Sequence, residues 1–237
     1  MAAAEGPVTE WFPTRLFPSR PWEVPTKEKD HLSVIILNQP LTDIQTLKRS
    51  DLDVIIGDLD SLTETSQSYF EDATGGKVQV IRDRDQESSD FTKALRHIRG
   101  RRVGGETGIV CMGGLGGRVD QGLSQLHHLY MFQTSPTYAE GRVYLVSGES
   151  LTFLLKAGMH RIHVRERERT NDHGDVFEKY VGIIPIREPG WDVEDWSTEF
   201  GGQISTSNHV LPDTEVVEVR ATKDVLFTIA LKGWPAE

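Results

Sequence analysis

This 237-residue sequence has little cysteine, no long apolar run and no excess of basic residues. The single cysteine, Cys111, allows no disulfide within the chain, which favours a reducing compartment. No apolar run approaches the roughly 18–20 residues that a membrane-spanning helix needs. Lys and Arg number 26 against 36 Asp and Glu, and the net charge of −10 argues against a general nucleic-acid or anionic-membrane binder. A small phosphate ligand, which needs only a few local donors, stays possible.

The first 30 residues contain several prolines and no continuous apolar segment. This composition is typical of neither a secretory signal nor a transit peptide, so we expect a cytosolic protein. We interpret residues 1–30 as an N-terminal arm that is ordered only if it docks on the rest of the chain.

Strand and helix patterns alternate over residues 31–139. Continuous apolar runs predict buried strands at 32–38, 53–57, 77–81 and 107–114. Helical patterns occupy 90–100 and 120–132, and a further helix should follow the second strand, started by a Ser61–Glu64 capping box. Such alternation predicts an α/β domain in which helices flank a parallel sheet.

Residues 140–237 have a different pattern. Short strand candidates follow one another, separated by Gly, Pro, Asp and Asn, with no convincing helix between them. In 225–231 both sets of alternating residues are apolar, as expected of a strand buried on both faces. This second half therefore predicts an all-β sandwich domain.

Two aspartates, Asp58 and Asp60, follow the strand at 53–57 in the stretch "GDLDSL". On an extended backbone their side chains project to the same side, where two close carboxylates repel each other unless a cation lies between them. Oxygen ligands of this kind suit Mg²⁺, which also binds substrate phosphates. A turn residue followed by a helix cap explains the pair equally well when it is taken alone.

A second polar cluster, "RDRDQESSDFTKAL" at 82–95, follows the next strand. Asp90 lies at or near a helix start, and Lys93 lies one turn further along the same face. Ordinary helix capping explains any one of Ser88, Ser89 or Asp90. It leaves the density of polar residues before the helix unexplained.

The third cluster is a glycine-rich loop, "GGLGGRVDQGLSQ" at 113–125, between a buried strand and a helix. Backbone N–H groups of such a loop can approach phosphates, and Arg118 could bind one through two N–H groups. The spacing matches neither of the common phosphate-loop motifs, so the loop alone is a weak signal. Of His127 and His128, one should pack and one should be exposed. The ligand crevice of α/β sheets lies at the carboxyl ends of the strands, so three such clusters predict a magnesium–nucleotide site.

With these motifs the sequence resembles the eukaryotic thiamine pyrophosphokinases of fungal type. The resemblance rests on residues in the family's order along nearly the whole chain: "ILNQPL", "DVIIGDLDSL", "VIRDRDQESSDFTKAL", "GGLGGRVDQGLSQLHHLY", "YLVSGES", "FGGQISTSNHV" and "VLFTIAL". It implies a nucleotide-binding domain at 31–139, a thiamine-binding β-sandwich at 140–237, and a homodimer with sites at the subunit interface. It implies transfer of pyrophosphate from ATP to thiamine.

The resemblance also implies roles for individual residues. Mg²⁺ would be held with the ATP phosphates by Asp58, Asp60 and Asp90. The nucleotide and its phosphates would be contacted by Gln86, Lys93, Gly114, Gly116, Gly117 and Arg118. Asp120 and Gln121 would lie near thiamine and its hydroxyl. The thiamine pocket would be formed by Ser205, Ser207, Asn208 and Trp191, with Trp196 as the competing aromatic and a plain core tryptophan as the alternative for either.

The sequence departs from the family pattern in two places. An "ADGGAN"-like segment, which supplies a strand end and an acid, is missing between residues 36–41 and "GDLDSL". The stretch "IIPIREPGWDVEDW" at 183–196 is shorter than its family counterpart. A sheet without one central strand–helix unit must close differently or expose apolar surface.

Two other functions are open from the sequence. A D-x-D phosphatase of the haloacid dehalogenase type would become phosphorylated on Asp58, although the glycine loop and the sandwich do not favour it. A non-catalytic remnant would bind thiamine or dimerise without turnover, and the missing segments favour that alternative.

Overall fold

The computed structural model describes residues 7–17, 33–37, 53–60, 62–101, 108–113, 115, 118–165, 175–185 and 205–232. The helices are α1 (Glu64–Thr74), α2 (Asp90–Gly100) and α3 (Val119–Phe132), and a short 3-10 helix spans Pro13–Leu16. The strands are β1 (Val8–Trp11), β2 (Ser33–Ile36), β3 (Val54–Gly57), β4 (Gln79–Arg82), β5 (Ile109–Met112), β6 (Val143–Val146), β7 (Ser150–Leu155), β8 (Gly158–His163), β9 (Phe177–Ile184), β10 (Ser205–His209), β11 (Val216–Ala221) and β12 (Val225–Leu231). No helix in these residues is long and apolar enough to cross a membrane.

One seven-stranded sheet joins the two halves of the chain, in the order β10-β9-β12-β7-β6-β5-β2. Strands β2, β5 and β6 pair in parallel. The pairs β6–β7, β7–β12, β12–β9 and β9–β10 are antiparallel. The predicted α/β and β-rich halves are confirmed, but they share this sheet because β6 pairs with β5 on one side and with β7 on the other.

The shared sheet has an apolar core on each face. On the helix side, Val143 and Leu145 of β6 pack with Phe91 and Leu95 of α2 and Leu129 of α3. The alternate residues of the same strands face the second core, which lies beneath a three-stranded sheet of order β1-β8-β11. Because both faces are covered, these central strands read as continuous apolar runs in the sequence.

The N-terminal arm docks through β1, which pairs in parallel with β8. Trp11 is fully buried in the core between the two sheets and stacks on Phe153 at 4.6 Å. Its Nε1 donates to Nδ1 of His160 (3.1 Å), and the Arg142 guanidinium lies 4.4 Å above its ring. Burial lowers the pKa of His160, which keeps Nδ1 free to accept. The arm therefore contributes a central core residue to the sandwich.

Strands β3 and β4 form a separate two-stranded parallel sheet. Among the described strands, none pairs with both β2 and β3, and helix α2 packs against both of them. Val34 and Ile36 on β2 are 38% and 45% exposed. Both departures from the family pattern, within 38–52 and 186–204, lie outside the described residues, so the expectation that a missing central unit leaves apolar surface stays a prediction.

The starts of α1 and α2 are set by short hydroxyl side chains. The predicted capping box of Ser61 and Glu64 is wrong, because α1 begins at Glu64 and Thr63 caps it by accepting from the Ser66 N–H. This places Glu64 at the first helical position instead of the third, where a capping box needs it. Of the three cap candidates for α2, Ser89 is the N-cap, so Asp90 becomes the first helical residue.

Candidate active site

The carboxyl ends of β3 and β4 lie side by side, because the parallel register pairs Gly57 with Arg82. Asp58 follows Gly57, and the loop 83–89 follows Arg82 and leads into α2. The Asp83 N–H donates to the Gly57 carbonyl at 2.8 Å, which extends the pairing beyond the strands. Two of the three polar clusters found in the sequence therefore meet at one sheet edge.

The turn at Asp58–Asp60 is not extended, so the expected same-side projection of the two carboxylates rested on a wrong backbone conformation. Leu59 has φ 65°, in the left-handed region that non-glycine residues rarely adopt. This conformation lets Asp58 Oδ1 accept from the Asp60 N–H at 3.1 Å, while Asp60 Oδ1 lies 3.6 Å from Nη2 of Arg82. A leucine in this region costs of order 1–3 kcal/mol, a strain that clusters at functional sites.

Asp90 lies directly against the end of β3. A Cβ added to Gly57 would come within 2.9 Å of Asp90 Oδ1 and 3.2 Å of its Oδ2, so the glycine leaves room for the carboxylate. The Asp90 side chain is 58% exposed, whereas Lys93, one turn further, is almost fully buried with Nζ 3.5 Å from Asp90 Oδ1. A buried ammonium needs anionic partners, and its three donors leave room for another beside Asp90.

The loop 83–89 accounts for much of its own polar density. Asp83 Oδ1 accepts from the Asp85 N–H at 3.0 Å, and Asp85 Oδ1 accepts from the Glu87 N–H at 2.9 Å. Hydrogen bonds from Ser88 and from the Glu87 N–H lower the pKa of Asp85. These are Asx turns, in which an aspartate side chain accepts from the N–H two residues further on, and they explain Asp83 and Asp85 without a ligand.

Arg118 and Asp120 pair with each other at the start of α3. Arg118 Nε donates to Asp120 Oδ1 at 3.0 Å and Nη2 donates to Oδ2 at 2.5 Å. The Arg118 guanidinium lowers the pKa of Asp120, and the carboxylate raises that of Arg118. Both side chains are exposed, at 74% and 60%, so the pair is open to a solvent-borne phosphate.

The remaining predicted site residues are only partly described. Gln86 and Gln121 are exposed, and Asn208 on β10 donates from Nδ2 to the Val181 carbonyl at 3.3 Å. The following lie outside the described residues: Gly114, Gly116, Gly117, Trp191 and Trp196, together with the side chains of Ser205 and Ser207.

Sequence reasoning missed Gly57 and Arg82 and left His127 and His128 undecided. His128 is buried and His127 is exposed, which confirms that one of the two packs and the other is exposed. The signal for Gly57 was its place before an acid at a strand end, where close approach of a side chain excludes a Cβ. Arg82 could be found only from the register of two parallel strands, which a sequence does not contain.

The donor chemistry of this sheet edge fits Mg²⁺. Asp58 follows Gly57 directly in the chain, and the Asp90 carboxylate lies against the position that a Gly57 Cβ would take. Across the described ranges, no three His, Cys, Asp or Glu side chains converge on one metal position. Magnesium is commonly held by one or two carboxylates together with waters and substrate phosphates, and Asp58 and Asp90 are ligands of that type.

Two family models match the chain in the order of its halves. The model described as the catalytic domain of thiamin pyrophosphokinase matches residues 35–139. The model described as its vitamin B1 binding domain matches residues 159–226. The first span contains the sheet edge with Asp58 and Asp90, and the second contains β9, β10, β11 and nearly all of β8.

Individual proteins give the same result. Thiamine pyrophosphokinase 2 of Arabidopsis thaliana is 31% identical over 200 residues, which cover 78% of this chain and 68% of the relative. Thiamine pyrophosphokinase of Saccharomyces cerevisiae is 26% identical over 225 residues, covering 73% and 67%. The solved thiamin pyrophosphokinase from Candida albicans has the same fold, with a TM-score of 0.73 at 19% identity over 98% of this chain and 96% of that one.

Proposed function

The chain belongs to the thiamin pyrophosphokinase family, and on that premise we propose that it transfers pyrophosphate from ATP to thiamine. The hydroxyl oxygen of thiamine bonds to the β-phosphorus, the bond from that phosphorus to the α-phosphate oxygen breaks, and AMP leaves. The products are AMP and thiamine diphosphate. The observation that carries the proposal is the carboxylate of Asp90 resting on Gly57 next to Asp58, with the buried ammonium of Lys93 beside it.

The acids at the sheet edge would hold Mg²⁺ together with the ATP phosphates. Asp58 and Asp90 supply the two carboxylates near Gly57, and Asp60, two residues after Asp58, lies next to Arg82. When bound, the ion would neutralise phosphate charge and orient the transferred group. Catalysis of phosphoryl transfer consists mostly of such positioning and charge stabilisation, which the Lys93 ammonium reinforces.

Residues at the start of α3 would bind the phosphate and the thiamine hydroxyl. In our proposal Arg118 exchanges its exposed Asp120 partner for a phosphate, which it can bind through two N–H groups. Asp120, once released, can accept the proton of the thiamine hydroxyl, and Gln121 lies beside it in the sequence. Gln86 and the glycine-rich loop with Gly114, Gly116 and Gly117 would complete the nucleotide contacts.

Thiamine would bind through the second half of the chain. We assign nucleotide binding to residues 31–139 and thiamine binding to 140–237, a division that the spans of the two family models support. Candidate pocket residues are Ser205, Ser207, Asn208 and Trp191. We further propose a homodimer that works in the cytosol.

An assay of AMP release tests the proposed function. Purified chain with Mg²⁺, ATP and thiamine should release AMP only when thiamine is present. Asp58→Asn should lower the rate of AMP release at least about 100-fold, because a neutral amide is a much weaker ligand for Mg²⁺ than a carboxylate. Asp53→Asn, at the exposed opposite end of the same strand, should keep the rate of the parent chain.

The same assay separates the alternatives. A phosphatase would release inorganic phosphate without thiamine and would carry phosphate on Asp58 during turnover. A cooperatively folded chain that binds thiamine and releases no AMP would contradict the catalytic proposal and favour the remnant. Equal activity of Asp58→Asn and the parent chain would contradict the assigned role of Asp58.

A further inference from the structure

His128 is a buried histidine of α3 that contacts the first turn of α2. Its Nε2 lies 2.8 Å from Oγ of Ser89 and 2.9 Å from Oγ1 of Thr92. Its Nδ1 lies 2.5 Å from the carbonyl oxygen of Ser124 in its own helix. One imidazole therefore connects the two helices through side-chain hydrogen bonds.

The hydrogen-bond partners fix the tautomer of this ring. A carbonyl oxygen can only accept, so Nδ1 carries the hydrogen and donates to Ser124. Nε2 of the neutral ring then has one lone pair, which accepts from Ser89 or Thr92. The two hydroxyls are 3.1 Å apart, so the one that does not donate to the ring can donate to the other. All three groups are satisfied in this arrangement.

The hydroxyls that His128 contacts determine where α2 begins. Ser89 is the N-cap and accepts from the Thr92 N–H at 3.2 Å, and its carbonyl accepts from the Lys93 N–H at 3.0 Å. Asp90 is the first residue after this cap, and its carboxylate must lie within a narrow space beside Gly57. A shift of the cap would move the two charged groups of the proposed nucleotide site together.

We propose that His128 is a positioning residue for pyrophosphate transfer, holding the first turn of α2 so that Asp90 and Lys93 face the bound nucleotide. The proposal rests on the proposed function of the site. His128 itself contacts no reacting group, since the residue is 5% exposed and its ring is packed by Phe91 and Phe132 at centroid distances of 4.8 and 6.0 Å.

Matched substitutions separate hydrogen bonding from packing. His128→Leu replaces the ring by an apolar side chain of similar size and removes the hydrogen bonds of both ring nitrogens. His128→Gln keeps an acceptor for the hydroxyls of Ser89 and Thr92, so it should retain the activity that His128→Leu loses. We expect His128→Leu to lower kcat about 10–100-fold with KM for thiamine and ATP changed less than about threefold, because a displaced group affects the reacting geometry more than binding. His128→Gln should stay within about threefold of the parent kcat on the same grounds.

Three further measurements complete the test. His127→Leu, at the exposed neighbouring position, should keep the parent kcat. If the ring acts through Thr92, the double variant His128→Leu/Thr92→Val should lose no more than His128→Leu alone, because contacting residues are not additive. Hydrogen exchange of the Thr92 and Lys93 amides should be about 10-fold faster in His128→Leu than in His128→Gln, since these amides are held by the cap.

The outcomes decide the proposal separately from the proposed function. Equal kcat values for His128→Leu and His128→Gln, or unchanged amide exchange in His128→Leu, would overturn the positioning role. A parent chain without activity would refute the proposed function, and the amide exchange would then still decide whether His128 holds the first turn of α2.

Discussion

Trp11→Ala is expected to lower the free energy of unfolding by about 3–5 kcal/mol, the usual cost of truncating a buried large aromatic. The substitution removes the stacked contact with Phe153 and leaves a cavity between the two sheets. It also leaves Nδ1 of the buried His160 without its donor and removes the ring beneath the Arg142 guanidinium. Urea denaturation followed by circular dichroism measures the change.

Two controls make this result specific. Trp11→Phe keeps most of the apolar contact and loses the hydrogen bond to His160, so it should cost about 1–3 kcal/mol, the penalty for an unsatisfied buried acceptor. Leu211→Ala, at a position 68% exposed, should change stability by less than about 0.5 kcal/mol. A loss below about 1 kcal/mol for Trp11→Ala would mean that the arm contributes little to the core.

Gly57→Ala is expected to reduce kcat/KM about 10–100-fold while the chain stays folded. The new methyl group would lie 2.9 Å from Asp90 Oδ1, closer than real Cβ contacts, so the carboxylate must move away from the end of β3. The exposed Asp90 side chain can swing into solvent, but this weakens its contact with the buried Lys93 ammonium, so the free energy of unfolding should fall by about 1–3 kcal/mol. Steady-state kinetics together with thermal unfolding separates the two effects.

Gly100→Ala provides the matched control, because a Cβ at the end of α2 meets no atom within 4 Å. It should keep the parent kcat/KM and leave stability unchanged or slightly higher, as alanine is the better helix residue. Parent-like kinetics for Gly57→Ala would show that Asp90 is not needed in its place beside β3.

Much of this fold could be predicted from periodicity. The helix predicted at 90–100 and the strand predicted at 225–231 appear at those bounds, because amphipathic and two-face apolar patterns are local properties of the sequence. The single sheet shared by both halves could not be predicted, since the pairing of β6 with both β5 and β7 is a long-range choice. Burial of Trp11 likewise depends on a partner strand about 150 residues away, as its bond to His160 shows.

The candidate site was predicted by residue type better than by geometry. The polar clusters after β3 and before α2 made Asp58 and Asp90 candidates, but the left-handed Leu59 turned Asp60 towards Arg82, and no local pattern marks such a turn at a leucine. His128 gave no signal because its partners, Ser89 and Thr92, lie on another helix. Residues whose role depends on the contact between two elements can be identified only from the tertiary structure.

The products of one reaction test the central claim most directly. Phosphorus NMR of the folded chain with Mg²⁺, ATP and thiamine should find AMP and thiamine diphosphate formed in equal amounts, with ATP stable when thiamine is left out. Formation of ADP or inorganic phosphate in place of AMP, or no consumption of ATP by a chain shown to be folded, would contradict pyrophosphate transfer at this site.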